Sequence, residues 1–115
     1  MIKKDVRNVS TEQQIKEDIE QETRKIFQKK KQLLDVEAEL DLNFIDDMPM
    51  VGENIYGEAF PHEKPPRVWL EVFAPDVTKK EIVETICHEL IHIKYPNLNH
   101  EDKEFLEKVD YCKKI

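Results

Sequence analysis

The run His88-Glu89-Leu90-Ile91-His92 combines residue types and spacing that point to one specific chemistry. On an α-helix, residues four apart are separated by about 40° of rotation and about 6 Å of rise, so both imidazoles reach a single metal ion. Glu89 projects to the flank of that pair, where its carboxylate can hydrogen-bond a water without being a ligand itself. Two imidazoles and one further ligand suit zinc, and they leave a fourth position for water whose pKa the ion lowers to about 7. One zinc ion held by His88 and His92 is therefore the expected cofactor. Glu89 becomes the general base and acid of a peptide-bond hydrolysis, a task that a purely structural zinc would not require. With this chain's own abundance of His and Glu, the pattern arises by chance in roughly one chain in fifty, so its helical context has to carry part of the argument.

The third ligand must come from downstream or from a loop. His100 is the leading candidate, because the turn over residues 96–99 folds the chain back toward the helix end and imidazole is a common zinc ligand. Glu104 lies one helical turn further on nearly the same face, with Glu101 and Glu107 nearby, so a carboxylate ligand stays open. His62, in the segment PHEKPP, reads as an exposed loop histidine. Tyr56, His62, Tyr95 and Tyr111 are all candidates for stabilising an oxyanion, and sequence alone does not separate them.

These residues need a scaffold. Thr78 followed by Glu81 forms a capping-box pattern ahead of Ile82, Val83, Ile86, Leu90 and Ile93, which predicts a helix over residues 78–95 that Pro96 terminates. A last helix is expected to begin near His100, capped by Asn99, with Phe105, Leu106 and Val109 turned inward and residues 113–115 fraying. Upstream, Ile15, Ile19, Ile26 and Phe27 recur at helical spacing from residue 10 or 11 to about residue 31, the pattern of an amphipathic surface helix. The period then changes. Val36, Ala38, Leu40, Leu42 and Phe44 alternate with polar residues, predicting a strand over 36–44. Residues 46–53, with Pro49 and Gly52, read as a connection, and 54–60 as a short strand weakened by Gly57 at a sheet edge. Residues 67–73, rich in β-branched and aromatic types, form a third strand that Pro75 ends. The expected fold class is α+β: a three-stranded, largely antiparallel sheet, an N-terminal helix, the HExxH helix and a C-terminal helix.

The chain's 115 residues suffice for one domain spanning 1–115, since smaller pieces would not bury a core unaided. The formal net charge of -7 argues against nucleic acid or an anionic membrane surface as partner. The start, MIKKDVRNVSTEQQ, lacks the apolar core of a signal peptide, and no stretch approaches a membrane span, so the expected location is cytoplasmic. In that reducing compartment Cys87 and Cys112 are expected as free thiols. The expected partner is a polypeptide substrate laid as an extra strand along the sheet edge at residues 55–60. The alternative is a non-catalytic interaction module that keeps metal for stability and associates through its first helix, so a homo-oligomer stays open.

The run HELIHIKYPNLNHEDKEF, preceded by TKKEIVETIC, resembles the pattern of SprT-like and WLM-type zinc peptidases, with Lys94 standing where an apolar residue is usual. In size, charge and lack of membrane spans the chain looks like the minigluzincins, small zincin-fold peptidases. That resemblance implies a zinc endopeptidase with Glu89 as base and His88 and His92 as ligands. The minigluzincin pattern implies a glutamate as third ligand, transferring to Glu104, whereas the SprT-like pattern implies His100. It also implies a latent or self-inhibited state, with residues 111–115 or the 60–66 loop occupying the cleft.

Overall fold

The computed structural model describes residues 2–45, 54–73 and 77–115, with the side chains of the first helix from residue 13 onward. The expected connection over 46–53 and the stop at Pro75 lie outside the described residues. The elements run α1 (Ile2–Leu34), β1 (Glu39–Phe44), β2 (Ile55–Phe60), β3 (Arg67–Val72), α2 (Lys79–Lys94) and α3 (Lys103–Lys114), the predicted order.

α1 is longer than its periodicity suggested, 33 residues, or about 50 Å at 1.5 Å per residue. Its inward face is the i, i+3, i+4 series Thr23, Ile26, Phe27, Lys30 and Leu34, all buried. The helix stops at a residue in the left-handed region, Asp35 with φ 54°. There the Val36 and Asp35 N–H groups donate to the Lys31 and Gln32 carbonyls, satisfying the last turn.

The sheet is mixed rather than largely antiparallel. β3 lies in the centre, parallel to β1 and antiparallel to β2, in the order β1-β3-β2. Leu40, Leu42 and Phe44 stand opposite Val68, Leu70 and Val72, and these last three are fully buried. Alternation specifies which face a strand buries but not the direction of its neighbour, which is why the parallel pairing was not legible. Both strands that flank β3 are edges, and β2 is one of them, as predicted.

α2 starts as its sequence dictates. The Thr78 hydroxyl accepts from the Glu81 N–H, and the Glu81 carboxylate accepts from the Thr78 N–H, closing the capping box. Its buried face, Ile82, Ile86, Leu90 and Ile93, packs in one core with the sheet, α1 and α3. Lys94 is accounted for by the packing: its ammonium donates to the Leu34 carbonyl, tying the end of α2 to the end of α1. Lys30, 5% exposed, donates to the Cys112 carbonyl at 2.7 Å and ties α1 to α3.

Two expectations are corrected here. Cys87 and Cys112 are not free thiols; they form a disulfide joining α2 to α3, with Cα atoms 5.7 Å apart, inside the bridging range. The two residues share the buried interface of α2 and α3, a proximity invisible in two separate helical patterns. α3 also begins later than expected, at Lys103. Asp102 takes the N-cap position, and its carboxylate accepts from the Asn99 N–H at 2.9 Å, so residues 96–102 form a loop. Among the described residues, no helix is long and apolar enough to cross a membrane.

Candidate metal centre

Each histidine is delivered by a different local constraint. His88 and His92 sit one turn apart on the half-buried side of α2, with their Nε2 atoms 3.2 Å apart. His100 comes from the loop before α3. Because that loop is not helical, the chain bends back over the end of α2 and brings the His100 ring centroid to 4.8 Å from His88 and 4.4 Å from His92. One ligand atom from each of the three lies within 4.8 Å of the others. Beneath them is Phe105, fully buried, with ring centroids 5.0, 4.5 and 5.7 Å from His88, His92 and His100. An apolar floor of this kind holds imidazoles in place without competing for their nitrogens.

The donor set fits zinc. Tetrahedral coordination at about 2.0–2.1 Å places neighbouring ligand nitrogens about 3.3 Å apart, and the His88–His92 separation meets that distance. Ligation also requires neutral imidazoles. Burial, followed by the nearby His100, holds the His88 pKa below its ordinary value. Burial, then His88 and His100, pushes His92 down to about 4. A proton on either ring is therefore disfavoured before any ion arrives.

The Glu104 alternative loses its geometric basis. It rested on His100 and Glu104 sharing a helical face, but His100 precedes the helix. Glu104 is exposed, pairs with Lys108 at 3.9 Å and lines a different groove, of about 550 Å³, together with Tyr95, Lys108 and Tyr111. That groove contains no histidine.

Glu89 points the other way from the histidine floor, toward β2. It is 7% exposed, and no hydrogen bond or ion pair among the described residues engages its carboxylate. Burial, reinforced by the neighbouring Glu58 charge, raises its pKa to about 7. A carboxylate poised near neutrality accepts and releases a proton with little driving force lost either way. Glu89 reaches this position because β2 carries a glycine: a Cβ at Gly57 would stand 2.7 Å from Thr85 Cγ2 and 3.1 Å from Glu89 Cγ. The glycine expected to weaken the strand is what admits α2.

His88, Glu89, His92 and His100 open on one cleft of about 420 Å³, walled by Tyr56, Gly57, Glu58 and Ala59 of β2 and by Pro61 and Pro96. No family model matches this chain, and comparison with curated proteins and with solved structures returns no match. The site must therefore be read from its own chemistry.

Of the four oxyanion candidates, Tyr56 alone is in the wall of this cleft; its hydroxyl donates to Glu58 at 3.3 Å. Tyr95 and Tyr111 line the other groove, and His62 is exposed in its loop, as expected. The segment 111–115 does not occupy the cleft. It forms the last turn of α3, anchored by the buried Cys112 and its disulfide. From the 60–66 loop, Pro61 alone reaches the cleft wall. Phe105 closes the run HELIHIKYPNLNHEDKEF and was expected as an inward residue, whereas Gly57 and Glu58 are site residues that motif reading did not single out individually. Only Gly57 carried a signal, since a glycine inside a strand pattern often marks close approach of another element.

Proposed function

We propose that this protein is a zinc-dependent peptidase of the HExxH type that acts on extended polypeptide. His88, His92 and His100 would hold the ion, which when bound polarises a peptide carbonyl and makes a water acidic enough to attack it. Glu89 takes the proton of the attacking water and passes it to the leaving amine nitrogen. Tyr56 and the β2 edge form the wall against which the peptide is laid, and main-chain pairing there accepts many sequences.

The observation that carries this reading is Glu89: a buried carboxylate with no hydrogen-bond or ion-pair partner among the described residues, in the wall of the same cleft as the three histidines. Burying such a group without a partner costs stability, and a zinc-holding interaction module has no use for it. The resemblance to minigluzincins supports the same reading.

Metal content and casein cleavage, measured on one preparation each of wild type, Glu89→Gln, His92→Ala and His100→Ala, test it. Wild type is expected to hold about one zinc and to cleave. Glu89→Gln should keep the metal and lose at least a hundredfold in rate, on the order expected for removing a general base, while both histidine variants lose metal and activity together. Zinc bound by a wild type that cuts nothing would instead favour the interaction module.

A further inference from the structure

The free edge of β2 determines which atoms and which charge an extended peptide meets. The Phe73 N–H donates to the Asn54 carbonyl at 2.8 Å, and the register sets Tyr56 opposite Glu71 and Glu58 opposite Trp69. Hydrogen-bonded and non-hydrogen-bonded pairs alternate along an antiparallel ladder. Asn54, Tyr56 and Glu58 therefore turn their main-chain groups toward β3, whereas Gly57 and Ala59 turn theirs outward. Both of these residues border the histidine cleft. A peptide adding antiparallel to this edge pairs through Gly57 and Ala59. Its residue opposite Glu58 then carries its side chain on the same face as Glu58, with Cβ atoms about 4.5–5.5 Å apart.

Glu58 has no cationic partner among the described residues; the bond it accepts comes from the Tyr56 hydroxyl. On the same face, Glu71 is the cross-strand neighbour of Tyr56. Neither this cleft nor the adjoining cavity beyond His92 is lined by a lysine or arginine, and the latter adds Glu101. The Glu89 carboxylate, buried and unpartnered, opens on the same cleft.

We propose that the peptide is selected by charge, with a lysine or arginine placed opposite Glu58 and an acidic residue rejected there. This rests on the peptidase reading for where the peptide lies, and it adds the substrate class: basic, extended segments. A cation at that position meets a carboxylate that has no cationic partner among the described residues, at cross-strand distance, whereas a carboxylate meets like charge.

The test digests a mixture of unstructured peptides, randomised in sequence, with zinc-loaded wild type and Glu58→Lys, each first checked for fold by circular dichroism, and reads the products by mass spectrometry. Lysine and arginine should be enriched about fivefold over glutamate at one fixed position from the cut, and Glu58→Lys should reverse that preference. Cleavage with no charge preference, or a basic preference that survives Glu58→Lys, overturns the proposal while leaving the peptidase reading intact. If nothing is cleaved, the peptidase reading fails. Fluorescence anisotropy of labelled lysine-bearing and glutamate-bearing extended peptides then decides the charge question alone: tighter lysine binding that Glu58→Lys abolishes upholds it, and equal binding overturns it.

Discussion

Glu89 and His92 lie within one turn of α2, yet burial moves them in opposite directions, Glu89 up to about 7 and His92 down to about 4. Their contributions to the stability of the metal-stripped chain therefore oppose each other. As pH falls from 6.5, the ordinary histidine value, toward 4, the unfolded chain protonates His92 and the folded chain does not, so folding is weakened. As pH rises from 4.5, the ordinary glutamate value, toward 7, the unfolded chain ionises Glu89 while the folded chain keeps it protonated, and folding is weakened again. Glu89→Gln removes the second effect only. Its stability relative to wild type should climb between pH 4.5 and 7, by on the order of 3 kcal/mol for a shift of that size at a buried site. Chemical denaturation of both proteins in chelator across pH 4–8 measures this. A difference that stays flat with pH would mean that Glu89 ionises as an ordinary surface acid.

At the scale of elements, the site depends on how closely α2 approaches β2. Gly57→Ala would put a methyl group into Thr85, Leu70 and Glu89, and overpacking of this kind costs about 1–3 kcal/mol. It would also displace Glu89, so if Glu89 is the general base of the proposed peptidase, activity should fall further than the stability loss explains. Removing the obstructing Thr85 methyl in the double variant Gly57→Ala/Thr85→Ser is expected to restore part of both. Equal rates and midpoints for all three proteins would show that the gap between strand and helix is looser than the contact distances indicate. The loop before α3 matters in the same way, because Asp102 at the N-cap position delays the helix and leaves His100 free to turn back.

Across the whole molecule, the Cys87–Cys112 disulfide closes a loop of sequence separation 25 that contains His88, Glu89, His92, His100 and Phe105. The bridge therefore binds the two helices that flank the site as well as the core. Replacing both cysteines by alanine is expected to cost about 3 to 4 kcal/mol through loop entropy restored to the unfolded chain, read by denaturation midpoint. Zinc affinity should also weaken, because His100 and the Phe105 floor are held against α2 partly through that link. A double variant with wild-type midpoint and affinity would assign the helix pairing to the apolar core and the Lys30 bond alone.

What the chain determined by itself was local. The Thr78–Glu81 capping box and the Pro96 stop framed the HExxH helix nearly to the residue, alternation marked the first strand apart from its start, which lies at Glu39 rather than residue 36, β-branched and aromatic content marked the third, and four-residue spacing put His88 and His92 on one side, because each of these signals lies within a few residues along the backbone. Tertiary structure decided the rest. It set β3 between β1 and β2, paired two cysteines that periodicity treated as independent, and brought His100 rather than Glu104 beside His88 and His92. It also turned Gly57 from a strand weakness into the opening that admits Glu89. All of these depend on which buried faces meet across long separations, and that is settled by packing rather than by the spacing of residues in sequence.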